Sequence, residues 1–131
     1  MIEVYIMTPK GLYKQTKASI INIVTSEGQR GLLPRHMPIV CALEISQMSM
    51  EEESGRETYT ISGGTLYLRD DVCRILTPSI ENVKDIDVER AKSAKERAEK
   101  LIEDNDSNLD LKRAQLALAR ALNRLEASEK K

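Results

Sequence analysis

The sequence contains few aromatic side chains, and its net charge is close to zero. Tyr occurs four times, and neither Phe nor Trp occurs in the 131 residues, so a platform that stacks nucleic-acid bases is not expected. The 20 Lys and Arg are opposed by 21 Asp and Glu, for a formal net charge of −1. No global field therefore attracts nucleic acid or anionic lipid, and the core must be built from Ile, Leu, Val and Met.

Signals for membrane insertion, secretion and metal binding are also missing. No apolar run approaches the roughly 18 residues of a transmembrane helix, and the N-terminus lacks the basic and apolar regions of a signal peptide. Cys41 and Cys73 do not form a CxxC motif, and His36 is the only histidine. We expect a soluble protein of a reducing compartment that reaches a membrane only through a partner, with two buried cysteines and no metal site.

Residues 1–84 have the pattern of a β-rich domain. Short apolar or alternating runs occur at residues 4–7, 19–24, 39–43, 57–61, 66–68 and 72–76, with turn residues between them. All six glycines and all four prolines precede residue 79. Closely spaced short strands with Gly and Pro turns indicate an antiparallel sandwich or barrel.

Residues 85–131 have the composition of helices, because Ala, Leu, Glu, Lys and Arg dominate and neither Gly nor Pro occurs. Val88, Ala91 and Ala98 follow helical spacing, and a polar stretch at residues 104–108 interrupts the pattern. Ser107 and Asp110 have the spacing of a capping box that opens a second helix. The sequence therefore predicts an antiparallel two-helix hairpin. Its apolar stripes are rich in Ala, so it is expected to be held weakly.

Arginines recur at helical spacing in both predicted helices. Arg90 and Arg97 are seven residues apart, and Arg120 and Arg124 are four apart. In an antiparallel hairpin Arg90 lies near Arg124 and Arg97 near Arg120, and guanidinium groups suit phosphate oxygens. Two other interpretations stay open: the arginines form a solvated face, or the basic second helix binds an acidic protein surface.

No catalytic constellation is visible in the sequence. A Walker-type phosphate loop is absent, and His36 lies in a loop stiffened by Pro34 and Pro38. A lone histidine of this kind is interpreted as a surface or interface residue. We therefore do not expect an enzyme.

Three segments in order resemble the ε subunits of F-type ATP synthases: residues 31–38 (GLLPRHMP), 62–64 (SGG) and 86–91 (IDVERA). Residues 112–125 also resemble the bacillus-type bacterial members, so that the resemblance spans essentially the whole chain. It implies a ten-stranded antiparallel β-sandwich in residues 1–84, followed by an antiparallel helical hairpin in residues 85–131.

The resemblance also implies a function. Members of the family are non-catalytic subunits of the rotating central stalk, and they help to couple proton flow to ATP synthesis at the cytoplasmic face of the bacterial plasma membrane. The implied partners are the γ subunit and the membrane c-ring, with Arg35, His36 and Met37 in the loop that contacts the ring. The helical hairpin can extend toward the α/β catalytic hexamer and inhibit ATP hydrolysis.

In ATP-binding members an I/L-D-x-x-R-A motif and further arginines hold the nucleotide. The matching residues here are Glu81, Ile86, Asp87, Arg90, Ala91, Arg97, Arg120 and Arg124. The implied ligand is regulatory ATP, for which Mg²⁺ is not required, and no catalytic cofactor is implied. The alternative is a stalk linker and inhibitor whose arginines make only protein contacts. Two departures affect local geometry: Arg35 stands where the family commonly has Gly, and Thr65 where a bulky apolar residue is frequent.

Overall fold

A computed structural model describes residues 1–104 and 108–129, the side chains of residues 108–110 excepted. The chain divides into two compact units, Met1–Asn82 and Val83–Lys131. The first unit is built from strands and the second from helices. The prediction of a β-rich domain followed by two helices is therefore confirmed.

Seven strands make up the first unit, all of whose residues are described. They are β1 (Ile2–Thr8), β2 (Gly11–Thr25), β3 (Gly28–Leu32), β4 (Ile39–Glu52), β5 (Gly55–Arg69), β6 (Val72–Leu76) and β7 (Ile80–Asn82). The hydrogen-bonded order is β1-β6-β5-β4-β2, and β1 also pairs with β2, so that these five strands close into a barrel. β3 pairs with β2, and β7 pairs with β5.

The barrel corrects one implied feature, because its strands are not all antiparallel. β1 and β6 run parallel, while the other pairs of the first unit are antiparallel. Strand direction cannot alternate all the way around a closed ring of five strands. A ring that closes with an odd number of strands therefore contains at least one parallel pair.

The ten strands that the resemblance implied are not confirmed, since the first unit has seven. Three of them are long, with 15 residues in β2, 14 in β4 and 15 in β5. The register between β2 and β4 shifts between Ala18 and Ile21 and again between Asn22 and Thr25. Such irregularities bend a strand without ending it, so one long strand spans a path that several short ones were expected to cover.

The Gly63-Gly64 pair is needed where β5 approaches β6. Gly64 has a φ of +127°, and a Cβ atom there would collide with the carbonyl oxygen of Leu76. Only glycine avoids both the collision and the conformational cost. The core beneath these strands is mainly aliphatic, as predicted, but its largest fully buried side chain is the aromatic Tyr59. The other large, fully buried side chains are Ile2, Ile6, Ile21, Ile23, Leu32, Met48, Met50, Ile61, Leu66, Ile75 and Val4.

The second unit contains a short 3-10 turn (Val83–Asp85) and two helices, α1 (Val88–Glu103) and α2 (Asn108–Ser128). Val83 and Ile86, which precede α1, share a buried cluster with Ala127 near the end of α2. The start of the first helix therefore lies beside the end of the second, as an antiparallel hairpin requires. The capping box predicted at Ser107 lies outside the described residues.

Small side chains line the contact between the two helices. The buried helical residues are Ala91 and Ala98 in α1 and Ala114, Ala121 and Ala127 in α2. Some larger apolar residues of the helices are exposed instead: Leu101 is 61% accessible and Leu122 is 44% accessible. Neither helix of the described residues is long and apolar enough to cross a membrane.

Candidate functional site

The segment that carries the predicted I-D-x-x-R-A motif has a structural task in the hairpin. Ile86 and Ala91 are each 2% exposed and belong to its apolar interior. Asp87 is the N-cap of α1, and its side chain accepts a hydrogen bond from the backbone N–H of Arg90 at 3.1 Å. This cap satisfies a helix donor that otherwise has no partner within the helix. The side chain of Arg90 is exposed.

The predicted arginines have defined positions relative to the buried alanines. Arg90 and Arg97 each precede a buried alanine by one residue, and so does Arg120 on the second helix. A one-residue step rotates a side chain by about 100° around a helix. Because the two helices run in opposite directions, this same offset turns the side chains of both helices toward one side of the hairpin.

Arg124 lies on that side too, because it follows the buried Ala121 by three residues. Three residues rotate by about 300° around the helix, which is the same as about 60° in the reverse direction, the direction in which Arg120 is turned. We call Arg90, Arg97, Arg120 and Arg124 the arginine face. Arg90 and Arg97 are exposed, whereas Arg120 and Arg124 are half-buried. The Nε atom of Arg97 donates a hydrogen bond to the carbonyl oxygen of Ser93 at 3.4 Å.

The opposite side of the hairpin has a different chemistry. Val88, Leu118 and Leu125 lie there by the same geometry, and all three are half-buried. Ala94 and Ala117 also lie on the arginine side, because each follows a buried alanine by three residues. Guanidinium groups on one side of the hairpin, with small alanines between them, have the chemistry to bind a polyanion.

Glu81, the eighth predicted nucleotide residue, belongs to the first unit. It lies in β7 opposite Thr60 of β5 and is half-buried. The structure thus brings Arg90, Arg97, Arg120 and Arg124 to one face of the second unit. That Glu81 contributes to the same site stays a prediction.

The predicted ring-contact residues lie in an exposed loop at residues 33–38, here called the proline loop. Met37 is 78% exposed and Leu33 is 55% exposed. The ring nitrogen Nδ1 of His36 lies 2.6 Å from the carbonyl oxygen of Met37. Arg35 has a φ of +68°, a conformation that glycine adopts easily and other residues rarely, which gives a physical reason why Gly suits this position.

An exposed apolar strip crosses the outer surface of the barrel, and the sequence analysis did not single it out. Strand pairing places Leu76 beside Met7, and Met7 beside Leu12. Leu12 is 58% exposed and Leu76 is 41% exposed. Val40 and Tyr67 are paired one row away, with 66% and 44% exposure. Exposed apolar side chains grouped on one surface make it a candidate site for a protein partner.

A polar cluster inside the barrel was also missed by the sequence analysis. The Lys14 ammonium donates to Tyr59 Oη at 2.6 Å and pairs with Glu52 Oε1 at 2.9 Å, while Tyr59 Oη donates to Glu52 Oε2 at 2.8 Å. Burial alone lowers the pKa of Lys14, but these two hydrogen bonds raise it well above its usual value. Burial raises the pKa of Tyr59 to about 12. Groups that keep their protons this firmly serve structure rather than proton transfer.

The two cysteines are free thiols, and burial raises the pKa of both. The pKa of the fully buried Cys73 rises to about 12. A thiol with so high a pKa is a poor nucleophile. Within residues 1–104 and 108–129, no group of three or more His, Cys, Asp or Glu side chains is arranged to hold a metal ion.

Two family models match the chain, one for each unit. The β-sandwich domain of the ATP synthase delta/epsilon chain matches residues 1–83. The long α-helix domain of the ATP synthase delta/epsilon chain matches residues 84–129. Together the two matches cover nearly the whole chain.

Individual relatives agree with the family models. The chain is 40% identical over 128 residues to the ATP synthase epsilon chain of Halalkalibacterium halodurans, covering 97% of this chain and 96% of the relative. It is 27% identical, with a TM-score of 0.82, to a chain of the Euglena gracilis mitochondrial ATP synthase (OSCP/F1/c-ring), covering 98% and 81%. A chain of the Tetrahymena thermophila mitochondrial ATP synthase (central stalk/c-ring), 18% identical with a TM-score of 0.63 over 97% and 96%, shares the fold.

Proposed function

Because the chain belongs to the epsilon chains of bacterial F-type ATP synthases, we propose that it is a rotor subunit whose hairpin senses ATP. Its first unit anchors it on the central stalk, and its second unit regulates hydrolysis. The arrangement that carries the proposal is the arginine face, on which Arg90, Arg97, Arg120 and Arg124 point to one side of the hairpin. The subunit couples proton translocation to ATP synthesis without performing catalysis.

The first unit supplies the docking surfaces. Similar chains come from assemblies that contain the c-ring, which supports a place beside the ring. The exposed strip that includes Leu12, Leu76, Val40 and Tyr67 suits an apolar surface of the γ subunit. The proline loop, with Arg35, His36 and Met37, contacts the ring. The subunit is thereby held at the cytoplasmic face of the plasma membrane as a peripheral component.

The second unit supplies the regulation. Its helix contact is made by alanines, each of which buries little apolar area, and burial contributes only about 25 cal/mol per Å². ATP on the arginine face joins the two helices through charge-assisted hydrogen bonds to its phosphates. At 100 times its dissociation constant a ligand stabilises the state that binds it by about 2.7 kcal/mol, enough to favour the folded hairpin. Mg²⁺ is not required, since the guanidinium groups supply the positive charge.

Without ATP the hairpin opens, and α2 reaches the α/β hexamer. Between residues 109 and 127 the sequence carries Lys112, Arg113, Arg120 and Arg124 against only Asp110 and Glu126. A positively charged helix fits an acidic segment of the catalytic β subunit and inhibits hydrolysis there. The competing proposal keeps this inhibition and assigns the arginines to protein contacts alone.

Calorimetric titration of ATP into the isolated chain separates the two proposals. We expect saturable binding that Arg90→Ala and Arg124→Ala each weaken at least tenfold, because a charge-assisted hydrogen bond is worth about 1.5–3 kcal/mol. Lys92→Ala is the matched control. It removes one exposed positive charge from α1, but it follows the buried Ala91 and so lies on the opposite side of the hairpin from Arg90.

Two results contradict ATP sensing. The first is the absence of heat and of a thermal shift at millimolar ATP, which leaves only the linker and inhibitor role. The second is an equal loss of affinity in Lys92→Ala and Arg90→Ala, because it shows that general positive charge, not the arginine face, attracts the nucleotide.

A further inference from the structure

Asp71, in the turn between β5 and β6, contacts the proline loop from a distant part of the sequence. Its Oδ1 atom accepts a hydrogen bond from the backbone N–H of Arg35 at 2.6 Å. A hydrogen bond to an ionised carboxylate is roughly twice as strong as one between neutral groups. The contact joins two segments that are 36 residues apart.

The position of Asp71 is itself fixed by the barrel. Arg69 and Val72 are paired, so that Asp70 and Asp71 form a two-residue hairpin turn, with φ values of +51° and +61°. Two positive φ values at these positions match a type I′ turn. The carbonyl oxygen of Asp71 also accepts a hydrogen bond from the N–H of Glu3 in β1 at 2.8 Å. The carboxylate therefore extends from a rigid base.

The proline loop has reasons to need such an anchor. Pro34 and Pro38 have no N–H group, so the loop has fewer backbone donors with which to hold its shape. Arg35 takes the left-handed conformation at φ +68°, which is unfavourable for a residue with a Cβ atom. The bond from its N–H to Asp71 offsets this cost.

We propose that Asp71 is a positioning residue, which holds the proline loop in the conformation that exposes Leu33 and Met37 to the rotor ring. The inference rests on the proposed function in one respect, namely that this loop contacts the ring. Asp71 does not touch the ring in this scheme. It acts through the backbone of Arg35.

Asp71→Gly is the sharpest variant, because it removes the carboxylate and keeps the turn. Asp-Gly is a preferred sequence for a type I′ turn, so the barrel is expected to keep its thermal midpoint. Asp70→Gly is the matched control. It removes the neighbouring carboxylate, also from a residue with positive φ, but Asp70 lies beside Arg69, at 3.6 Å from its Nε atom.

Two measurements on the full-length chain test the proposal. Amide hydrogen exchange by NMR should show the Arg35 N–H exchanging about tenfold faster in Asp71→Gly, as the loss of one charge-assisted hydrogen bond implies. Affinity for the purified c-ring with bound γ should fall several-fold in the same variant. Asp70→Gly should match the unaltered chain in both.

Unchanged Arg35 exchange in Asp71→Gly overturns the inference, and so does ring affinity equal to that of Asp70→Gly. If the unaltered chain does not bind the rotor at all, the proposed function fails. The exchange measurement on the isolated chain still decides whether Asp71 holds the loop.

Discussion

The two units of this protein bury different kinds of side chain. The first unit encloses Ile, Leu, Val and Met residues, together with Tyr59, between strands that close on themselves. The second unit buries mainly alanines between its helices. Complete burial of a large aliphatic side chain contributes about 1.5–3 kcal/mol, and an alanine methyl group contributes much less.

This difference fits the division between anchoring and regulation that the proposed function assigns to the two units. A barrel with a large aliphatic core keeps one structure whether or not a ligand is present. Two helices joined through alanines gain so little stability from their contact that a ligand, or a competing surface, can decide whether they stay packed together. In the proposed function, the first unit is the rigid mount and the second is the element whose conformation responds to binding.

Truncation of a core side chain in the barrel should cause the largest loss of stability among the changes considered. Leu66 is fully buried, so Leu66→Ala is expected to lower the free energy of unfolding of the first unit by about 2–5 kcal/mol. Leu76→Ala, in the exposed strip, is the control and should cost less than about 1 kcal/mol. Urea unfolding followed by tyrosine fluorescence reports on the first unit alone, because all four tyrosines lie in it. Similar losses in the two variants would contradict the rigid-mount interpretation.

Alkaline pH should weaken the barrel by an intermediate amount, of order 1–2 kcal/mol. The pKa of Tyr59 rises from an ordinary value of 10 to about 12, and that of Lys14 is also raised. Because the folded state holds these protons more tightly, the stability that is present below pH 10 is lost as the pH rises toward 12.

Urea midpoints measured by circular dichroism between pH 8 and 12 test this expectation. Tyr59→Phe should flatten the alkaline decline, whereas Tyr67→Phe, which alters an exposed tyrosine, should leave it unchanged. Equal slopes in the two variants would show that the buried cluster is not responsible.

Loss of the α1 cap should have the smallest effect, and it falls on the second unit. Asp87→Ala removes the acceptor for the Arg90 N–H and should lower helix stability by about 1 kcal/mol. Asp87→Asn should preserve it, because Asn caps helices as well as Asp does. Far-ultraviolet circular dichroism measures the helix, and calorimetry measures ATP binding. If Asp87→Asn keeps the helix content but loses ATP affinity, the carboxylate contacts the nucleotide instead of serving only as a cap.

The candidate site was predictable from the sequence to different degrees. Helical spacing predicted that Arg90, Arg97, Arg120 and Arg124 would share a face, since rotation per residue is a local property. The structural tasks of Ile86 and Asp87 were hidden within a motif that sequence reasoning had assigned to the nucleotide. Asp71 gave no local signal, because its contact with Arg35 joins segments far apart in the chain.

By itself the sequence determined the division into strands and helices, because alternation, helical periodicity, and the placement of Gly and Pro act over a few residues. It also determined the arginine spacing and the family. Only the tertiary structure decided that five strands close with one parallel pair and that three strands are long and bent. These features depend on which distant surfaces meet, and local pattern does not encode that choice.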